Sequence, residues 1–326
     1  MNQDIPFHLP DFSDLHIMVI GDIMEDRYLS GHIARISPEA PVPIFELDKV
    51  ENRLGGAANV ALNLIALGAR VTLVTICGDD QDGSKLLAML DEIPGLNPLV
   101  TIIPDRITTV KTRIMAANQH ILRIDSEDIS DIGVQYSDLI FRRVRDFCMN
   151  HSIDGIILQD YNKGLMTIPL IHTIIDTANS LQIPTFVDPK EKNFFEYRNC
   201  TLFKPNNKEA MRATGQHLIN PEKADQLIRQ KLTNKMTVIT LGKDGMYIHD
   251  GKSGMTYPTS PRDISDVCGA GDTVISVLCC CYLKGLDAAS MARIANTAGG
   301  QVCEHPGVVS VNRSMLEAEL AGNQSS

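Results

Sequence analysis

Short β-prone apolar runs alternate with amphipathic helical stretches along most of the chain. That alternation constrains its fold more than any other feature. Strand-like runs fall at 17–21, 71–76, 155–158, 185–187, 202–204 and 237–241. Helical periodicity falls at 57–67, 83–92, 135–149, 168–180, 221–232, 271–283 and 287–303. Strands separated by helices predict βαβ units around a mainly parallel sheet, an α/β architecture. Two stretches break the rhythm. One is 30–52, which carries Pro38, Pro41 and Pro43. The other is 100–124, where 110–115 and 120–124 read as strands with no helix between them. Together they predict a small antiparallel sheet projecting from the core as a lid over the carboxyl ends of the parallel strands. The 326 residues are expected to form one domain, 1–326, with this lid inserted.

Composition narrows the ligands. The formal net charge is −10, which argues against nucleic acid or an anionic membrane as the main partner. Any phosphate must therefore be held by a local site. The eight cysteines form no C-x-x-C pair, and three are consecutive (Cys279, Cys280, Cys281) in an apolar run that reads as buried helix. They are expected to be reduced core thiols rather than disulfides or zinc ligands. Residues 1–14 are polar and proline-containing, without the layout of a signal peptide. Apolar runs are too short to cross a bilayer. A soluble, cytoplasmic protein is expected, with a short polar tail at 322–326.

Four motifs carry chemistry. The run DVCGAGD begins at Asp266 and continues through Cys268, Gly269, Ala270 and Gly271 to Asp272, opening a helical stretch. Small residues there let the backbone approach a ligand, and N–H groups at a helix start attract negative charge. A carboxylate beside an anion cannot serve to attract it. Its useful role is to take a proton from an attacking hydroxyl. Taken alone, the run is equally a glycine-rich turn with a capping Asp. Gly55, Gly56 and Asn59 open a second helix, as a sugar contact or simply a tightly packed start. Asn206 and Glu209 lie three apart after a strand, which suits either a water-mediated Mg²⁺ or a plain capping box. Thr240, Gly242 and Gly245 end a strand and either line a nucleotide cleft or make a hairpin turn. The stretch from Gly78 to Lys85 only imitates a P-loop: Ser84 and Lys85 are in the wrong order and three aspartates would repel phosphate. After Gly269 and Gly271 the third glycine of a dinucleotide fingerprint is replaced by Val274.

The order and spacing of these motifs resemble the ribokinase/PfkB carbohydrate kinase family over nearly the whole chain. Within that family, several segments are similar to the branch that phosphorylates D-glycero-β-D-manno-heptose 7-phosphate. These are 21–28, 35–43, 54–62, 111–113, 122–125, 160–164 and 187–190. The resemblance implies a ribokinase-like three-layer fold with a β lid. It also implies ATP-dependent transfer to the anomeric hydroxyl on the route to ADP-heptose, with Mg²⁺ and possible use of K⁺. By position, Asp272 would be the base, and the N–H groups of Gly269, Ala270 and Gly271 the anion hole. Asp26, Gly55, Gly56, Asn59 and Asp160 would hold the sugar, with Lys111, Arg113 and Lys163 for its phosphate. Asn206, Lys190, Thr240, Gly242, Gly245 and Asn296 would border ATP. Asn206 and Glu209 would organise Mg²⁺ through water, and Asp266, Cys268 and Gly307 a monovalent cation. In many such proteins a nucleotidyltransferase domain follows; this chain is expected to be kinase-only, with a separate transferase acting downstream. A homodimer through the lid is expected from its open edges. Cys268 stands where Thr is common and Gln159 where a small residue is usual, and Glu25 and Ser126 also depart from the pattern. Another sugar or nucleoside kinase of the family, and a catalytically silent sugar-phosphate sensor, are the competing expectations.

Overall fold

The computed structural model describes residues 8–116, 119–216 and 220–322. The first part of the chain runs β1 (His16–Gly21), β2 (Ile23–Ile36), β3 (Pro43–Gly56), α1 (Ala57–Leu67), β4 (Arg70–Gly78), α2 (Gln81–Asp91) and β5 (Leu96–Ile103). Then come β6 (Val110–Ala116), β7 (Gln119–Ser126), α3 (Val134–Asn150), β8 (Gly155–Gln159), α4 (Ile168–Ser180), β9 (Thr185–Asp188) and β10 (Leu202–Phe203). The remainder is α5 (Asn207–Thr214), α6 (Pro221–Leu232), β11 (Met236–Thr240), β12 (Met246–His249), β13 (Gly254–Tyr257), α7 (Ala270–Leu283), α8 (Ala288–Cys303) and α9 (Arg313–Gly322).

Nine strands form one sheet in the order β13-β12-β11-β10-β9-β8-β1-β4-β5. All its pairings are parallel except those of β11 with β12 and of β12 with β13. Alternation along the strands divides the core in two. Ile17, Val19, Val71 and Leu73 face a cluster that includes α1, α7 and α8, while Met18, Ile20, Val74 and Ile76 face one that includes α3 and α4. Burial on both faces is why these strands are continuous apolar runs. All eight cysteines are unpaired, and Cys279, Cys280 and Cys281 are fully buried in α7. Among the described residues no helix is long and apolar enough to cross a membrane.

The lid forms as expected in outline but differs in three respects. It begins at Ile23 rather than 30, and β3 continues to Gly56. Residues 100–103 do not belong to it; they complete β5, which pairs with β4 at the edge of the large sheet. The small sheet, β3-β2-β6-β7, is mixed rather than antiparallel, because β6 runs parallel to β2. The chain reaches β6 from the far edge of the core sheet, so it arrives alongside β2 heading the same way. Residues 117–118, within the expected lid stretch, and 323–326 of the expected tail lie outside the described residues. Helix α9 and strand β13 were not expected, and α5 and β12 only as the capping-box and hairpin alternatives; all are short, eight to ten residues for the helices and four for each strand. Runs that brief carry little periodic signal.

Candidate active site

The site is organised by the start of α7. Gly269 is its N-cap with φ +80°, and a Cβ there would lie 2.9 Å from Asn59 Nδ2. Ala270 and Gly271 follow, so the first turn presents backbone rather than side chain. Asp272 is buried, 3% exposed. Its Oδ2 accepts from Asn59 Nδ2 at 2.8 Å, and its Oδ1 from Tyr161 Oη at 2.6 Å and Gln159 Nε2 at 3.3 Å. Burial pushes its pKa up to about 6, against the pull of the Tyr161 and Asn59 hydrogen bonds. It is therefore a carboxylate at neutral pH whose proton affinity is matched to brief protonation. Thr273 Oγ1 donates to Asn63 Oδ1 at 2.9 Å and Ser276 Oγ to Val60 O at 3.2 Å, locking α7 against α1.

On one side of this turn lies a largely apolar cavity of about 520 Å³. Thr240, Gly242, Gly245 and Asn296 line it, together with Ala270 and Gly271. The structure thus brings together four of the residues expected to border ATP and joins them to the anion turn. The volume suits a nucleotide base and ribose. Asn296 Nδ2 donates to Tyr257 O and Pro258 O at 3.2 Å each, fixing the cavity wall.

Asn206, Glu209 and Lys190 are not among the cavity's lining residues. Asn206 Oδ1 accepts from Glu209 N at 2.9 Å and Glu209 Oε2 from Asn206 N at 2.8 Å, a reciprocal cap on α5. Glu209 Oε1 pairs with Lys190 Nζ at 2.6 Å. Burial disfavours charge on Lys190, but Asp188 and Glu209 outweigh it and raise its pKa. Among the described residues no three His, Cys, Asp or Glu side chains converge as a metal cage. Both carboxylate oxygens of Glu209 are thus engaged, by Lys190 Nζ and Asn206 N.

Within the lid sheet, Asp26 of β2 and Arg113 of β6 form a buried ion pair. A Cβ on Gly55 would fall 2.2 Å from Asp26 Oδ2, so only glycine leaves this carboxylate its place. Gly56 lies beside it at the hinge into α1. Burial raises the pKa of Asp26 although Arg113 opposes it. Lys111 Nζ pairs with Asp125 at 3.0 Å and Glu127 at 3.3 Å, and Lys163 Nζ with Glu127 at 2.8 Å. The expected phosphate-binding cations do converge, but each already has a carboxylate partner.

Asp160 has no exposed surface; its Oδ2 accepts from Tyr197 Oη at 2.7 Å and its Oδ1 from Asn162 N at 2.7 Å. Its carboxylate holds the loop after β8. Asp266 Oδ1 and Oδ2 accept from Cys268 N and Gly307 N, each at 3.0 Å. These bonds hold its pKa below the usual value despite partial burial. Arg53 Nη1 donates to Pro306 O at 3.0 Å and Val308 O at 3.2 Å, so a fixed cation already rests on this loop. The stretch from Gly78 to Lys85 is no phosphate loop: Asp80 caps α2 by accepting from Gly83 N.

Sequence reasoning missed the partners of Asp272. Tyr161 and Gln159 come from the loop and strand β8, more than a hundred residues away. Asp188 and Lys204, paired at 3.0 Å, sit beside the anion turn: a Cβ on Gly271 would be 3.7 Å from Lys204 Nζ and 3.8 Å from Asp188 Oδ2. The unusual Gln159 was the one available signal.

Comparison with known proteins agrees with this geometry. The family model described as pfkB family carbohydrate kinase matches residues 14–315. The bifunctional protein HldE of Campylobacter curvus is 35% identical over 309 residues, covering 94% of this chain and 65% of the relative. That of Geobacter sulfurreducens is 38% identical over 318 residues, covering 95% and 63%. The chain therefore spans less than two thirds of the length of these relatives. The crystal structure of phosphofructokinase-2 from Escherichia coli in complex with potassium has a TM-score of 0.76 at 18% identity, covering 94% of this chain and 99% of that one. At that identity the likeness shows a shared fold.

Proposed function

Because the chain belongs to the pfkB family of carbohydrate kinases, we propose that it transfers the γ-phosphate of ATP to the anomeric 1-hydroxyl of D-glycero-β-D-manno-heptose 7-phosphate. The product would feed a nucleotidyltransferase on the way to ADP-heptose for lipopolysaccharide cores. The observation that carries the proposal is the position of Asp272. It is a buried carboxylate at a glycine-rich helix start whose Ala270 and Gly271 line a nucleotide-sized cavity, and its partner Tyr161 comes from the loop that also carries Lys163. The heptose assignment rests on the segments shared with that branch of the family and on HldE relatives at 35–38% identity.

In this mechanism Asp272 accepts the proton of the sugar hydroxyl as its oxygen attacks the γ-phosphorus. The bond from that phosphorus to the β–γ bridging oxygen breaks, and ADP leaves. The N–H groups of Gly269, Ala270 and Gly271 meet the charge that develops on the transferring group. Asp26, Gly55 and Asn59 orient the sugar, and Arg113, with Lys111 and Lys163, takes its 7-phosphate. A divalent ion, Mg²⁺ in this proposal, neutralises nucleotide phosphate charge when bound. A monovalent cation beside Asp266, Cys268 and Gly307 would do the same for the anion turn; it is the less supported of the two, since Arg53 already supplies charge there. The lid, 23–56 and 110–126, closes over the sugar and excludes water. It exposes apolar residues including Ile36, Leu47, Val50, Leu122 and Ile124, which supports a homodimer joined lid to lid; a cytoplasmic location is part of the proposal.

The test is ATP consumption against a panel of sugars and sugar phosphates, with and without K⁺, for wild type and Asp272→Asn. Turnover with the heptose 7-phosphate, reduced roughly 10²- to 10⁴-fold in the variant with ATP affinity kept, is the expected result. Turnover with a different sugar would keep the chemistry and discard the substrate. No turnover with any sugar would reject the proposal in favour of a silent sugar-phosphate sensor.

A further inference from the structure

The loop after β8 is held with unusual firmness for a connection. Asp22, buried at the end of β1, accepts from three of its backbone N–H groups: Tyr161 and Lys163 at Oδ2 and Leu165 at Oδ1, each at 3.1 Å. Asp160 adds Asn162 N at 2.7 Å. Asn162 and Gly164 take φ of +55° and +86°, the left-handed turns that let these groups converge. A loop so fixed also fixes where the side chain of Tyr161 goes. Its hydroxyl donates to Asp272 Oδ1 at 2.6 Å, while Lys190 Nζ lies 5.3 Å above its ring and binds Glu209. Beside it, Gln159 Nε2 reaches both Asp272 Oδ1 and Asp188 Oδ2, at 3.3 and 3.2 Å. Gln159 is fully buried and its Oε1 has no partner among the described residues, so its hydrogen bonds there go to the two carboxylates.

We propose that Tyr161, assisted by Gln159, is the positioning residue for Asp272: its hydroxyl aims the base and holds it in the ionised form. The proposal rests on Asp272 being the base. Burial among Asp272, Asp188 and Asp26 drives the Tyr161 phenol well above its usual pKa, so it remains a donor across the working range. A donor to a carboxylate stabilises its charged form. The other groups facing Asp272 are Asp188 and Lys190 from β9 and the segment after it, Lys204 after β10, Asn59 from α1 and the start of α7 itself. Asp188 and Lys204 are of opposite sign and paired to each other. The Tyr161 bond therefore contributes heavily to keeping the buried base charged. The same ring touches Lys190, which makes position 161 a mechanical link between the base and the cap of α5.

Tyr161→Phe removes the hydroxyl and keeps the ring. The kcat/KM pH profile and a ¹³C carboxyl titration of the aspartate-labelled protein, with Asp272 identified by its loss in Asp272→Asn, read the effect independently. The acid limb of activity and the Asp272 midpoint should both move to higher pH. At neutral pH kcat should fall about ten- to a hundredfold, with much of it regained at pH 8.5 and the KM for ATP unchanged. Gln159→Met should shift both the same way by less, because its contact is longer. A lower plateau with an unmoved acid limb would mean that Tyr161 only packs, and would overturn the proposal. So would an unmoved Asp272 midpoint, whether or not sugar is turned over. A shifted midpoint in a protein that phosphorylates no sugar would instead uphold the contact and refute Asp272 as the base of a kinase.

Discussion

The two ends of the site are built on opposite plans. The nucleotide end is an open, mainly apolar cavity bordered by glycines and by Asn296, whose amide is spent on the cavity wall. The sugar end is closed on itself: Arg113 holds Asp26, and Lys111 and Lys163 share Glu127. Filling an apolar cavity needs little rearrangement. On the proposed assignment, a sugar phosphate entering the second end would have to exchange these ion pairs for its own hydroxyls and phosphate. Selectivity would then lie on the lid side, with the nucleotide side receptive in advance.

Breaking the sugar end should have the largest effect. Arg113→Met leaves Asp26 buried without its cation, a loss of about 3–5 kcal/mol by denaturant unfolding. It should also abolish saturation by the sugar phosphate. The double variant Asp26→Asn, Arg113→Met should regain most of the stability and none of the sugar binding. Recovery of sugar binding in the double variant would mean the pair is a strut rather than a contact.

Next is the seam between the ends, Asp272. Its folded pKa of about 6 lies above the ordinary value of 3.8. The folded state therefore binds the proton more tightly, and the stability this confers is present below pH 3.8 and lost as pH rises through about 6. Asp272→Asn lacks this loss. The melting temperature of the variant minus that of wild type should climb by a few °C between pH 5 and 7.5. A difference that is flat in pH would place the titration elsewhere.

A smaller change should follow at the nucleotide end. Asn296→Ala frees the carbonyls of Tyr257 and Pro258 and should raise the KM for ATP about three- to tenfold, leaving that for sugar unchanged. Equal changes in both constants would show the two ends to be coupled more tightly than the contrast implies. Least affected should be the monomer's own stability in Leu122→Glu, Ile124→Glu, both exposed on β7. Sedimentation should show a dimer in wild type and a monomer in the variant; identical sedimentation would remove the lid from the assembly.

The legible parts of the molecule were the local ones. The limits of α1, α4 and α6 agree with the periodicity to the residue, because burial of one helix face repeats every turn and leaves its mark in neighbouring positions. The start of α7 was visible for the same reason: a glycine-rich helix start is written within seven residues. The cap of α5 was among the alternatives for Asn206 and Glu209, and it is the one the geometry shows.

What only the tertiary structure decided are encounters between distant segments. Nothing near residues 96–103 says that they join the core sheet instead of the lid; that depends on β4 having a free edge. Nothing near Tyr161 points to Asp272, 111 positions away, or says that Asp160 turns inward while its neighbour meets the base. Periodicity and capping are energies of adjacent residues and so are recorded in order along the chain. Ion pairing, desolvation and the aim of a catalytic carboxylate depend on which surfaces close over one another, and that is settled only when the two faces of the large sheet and the lid are in place.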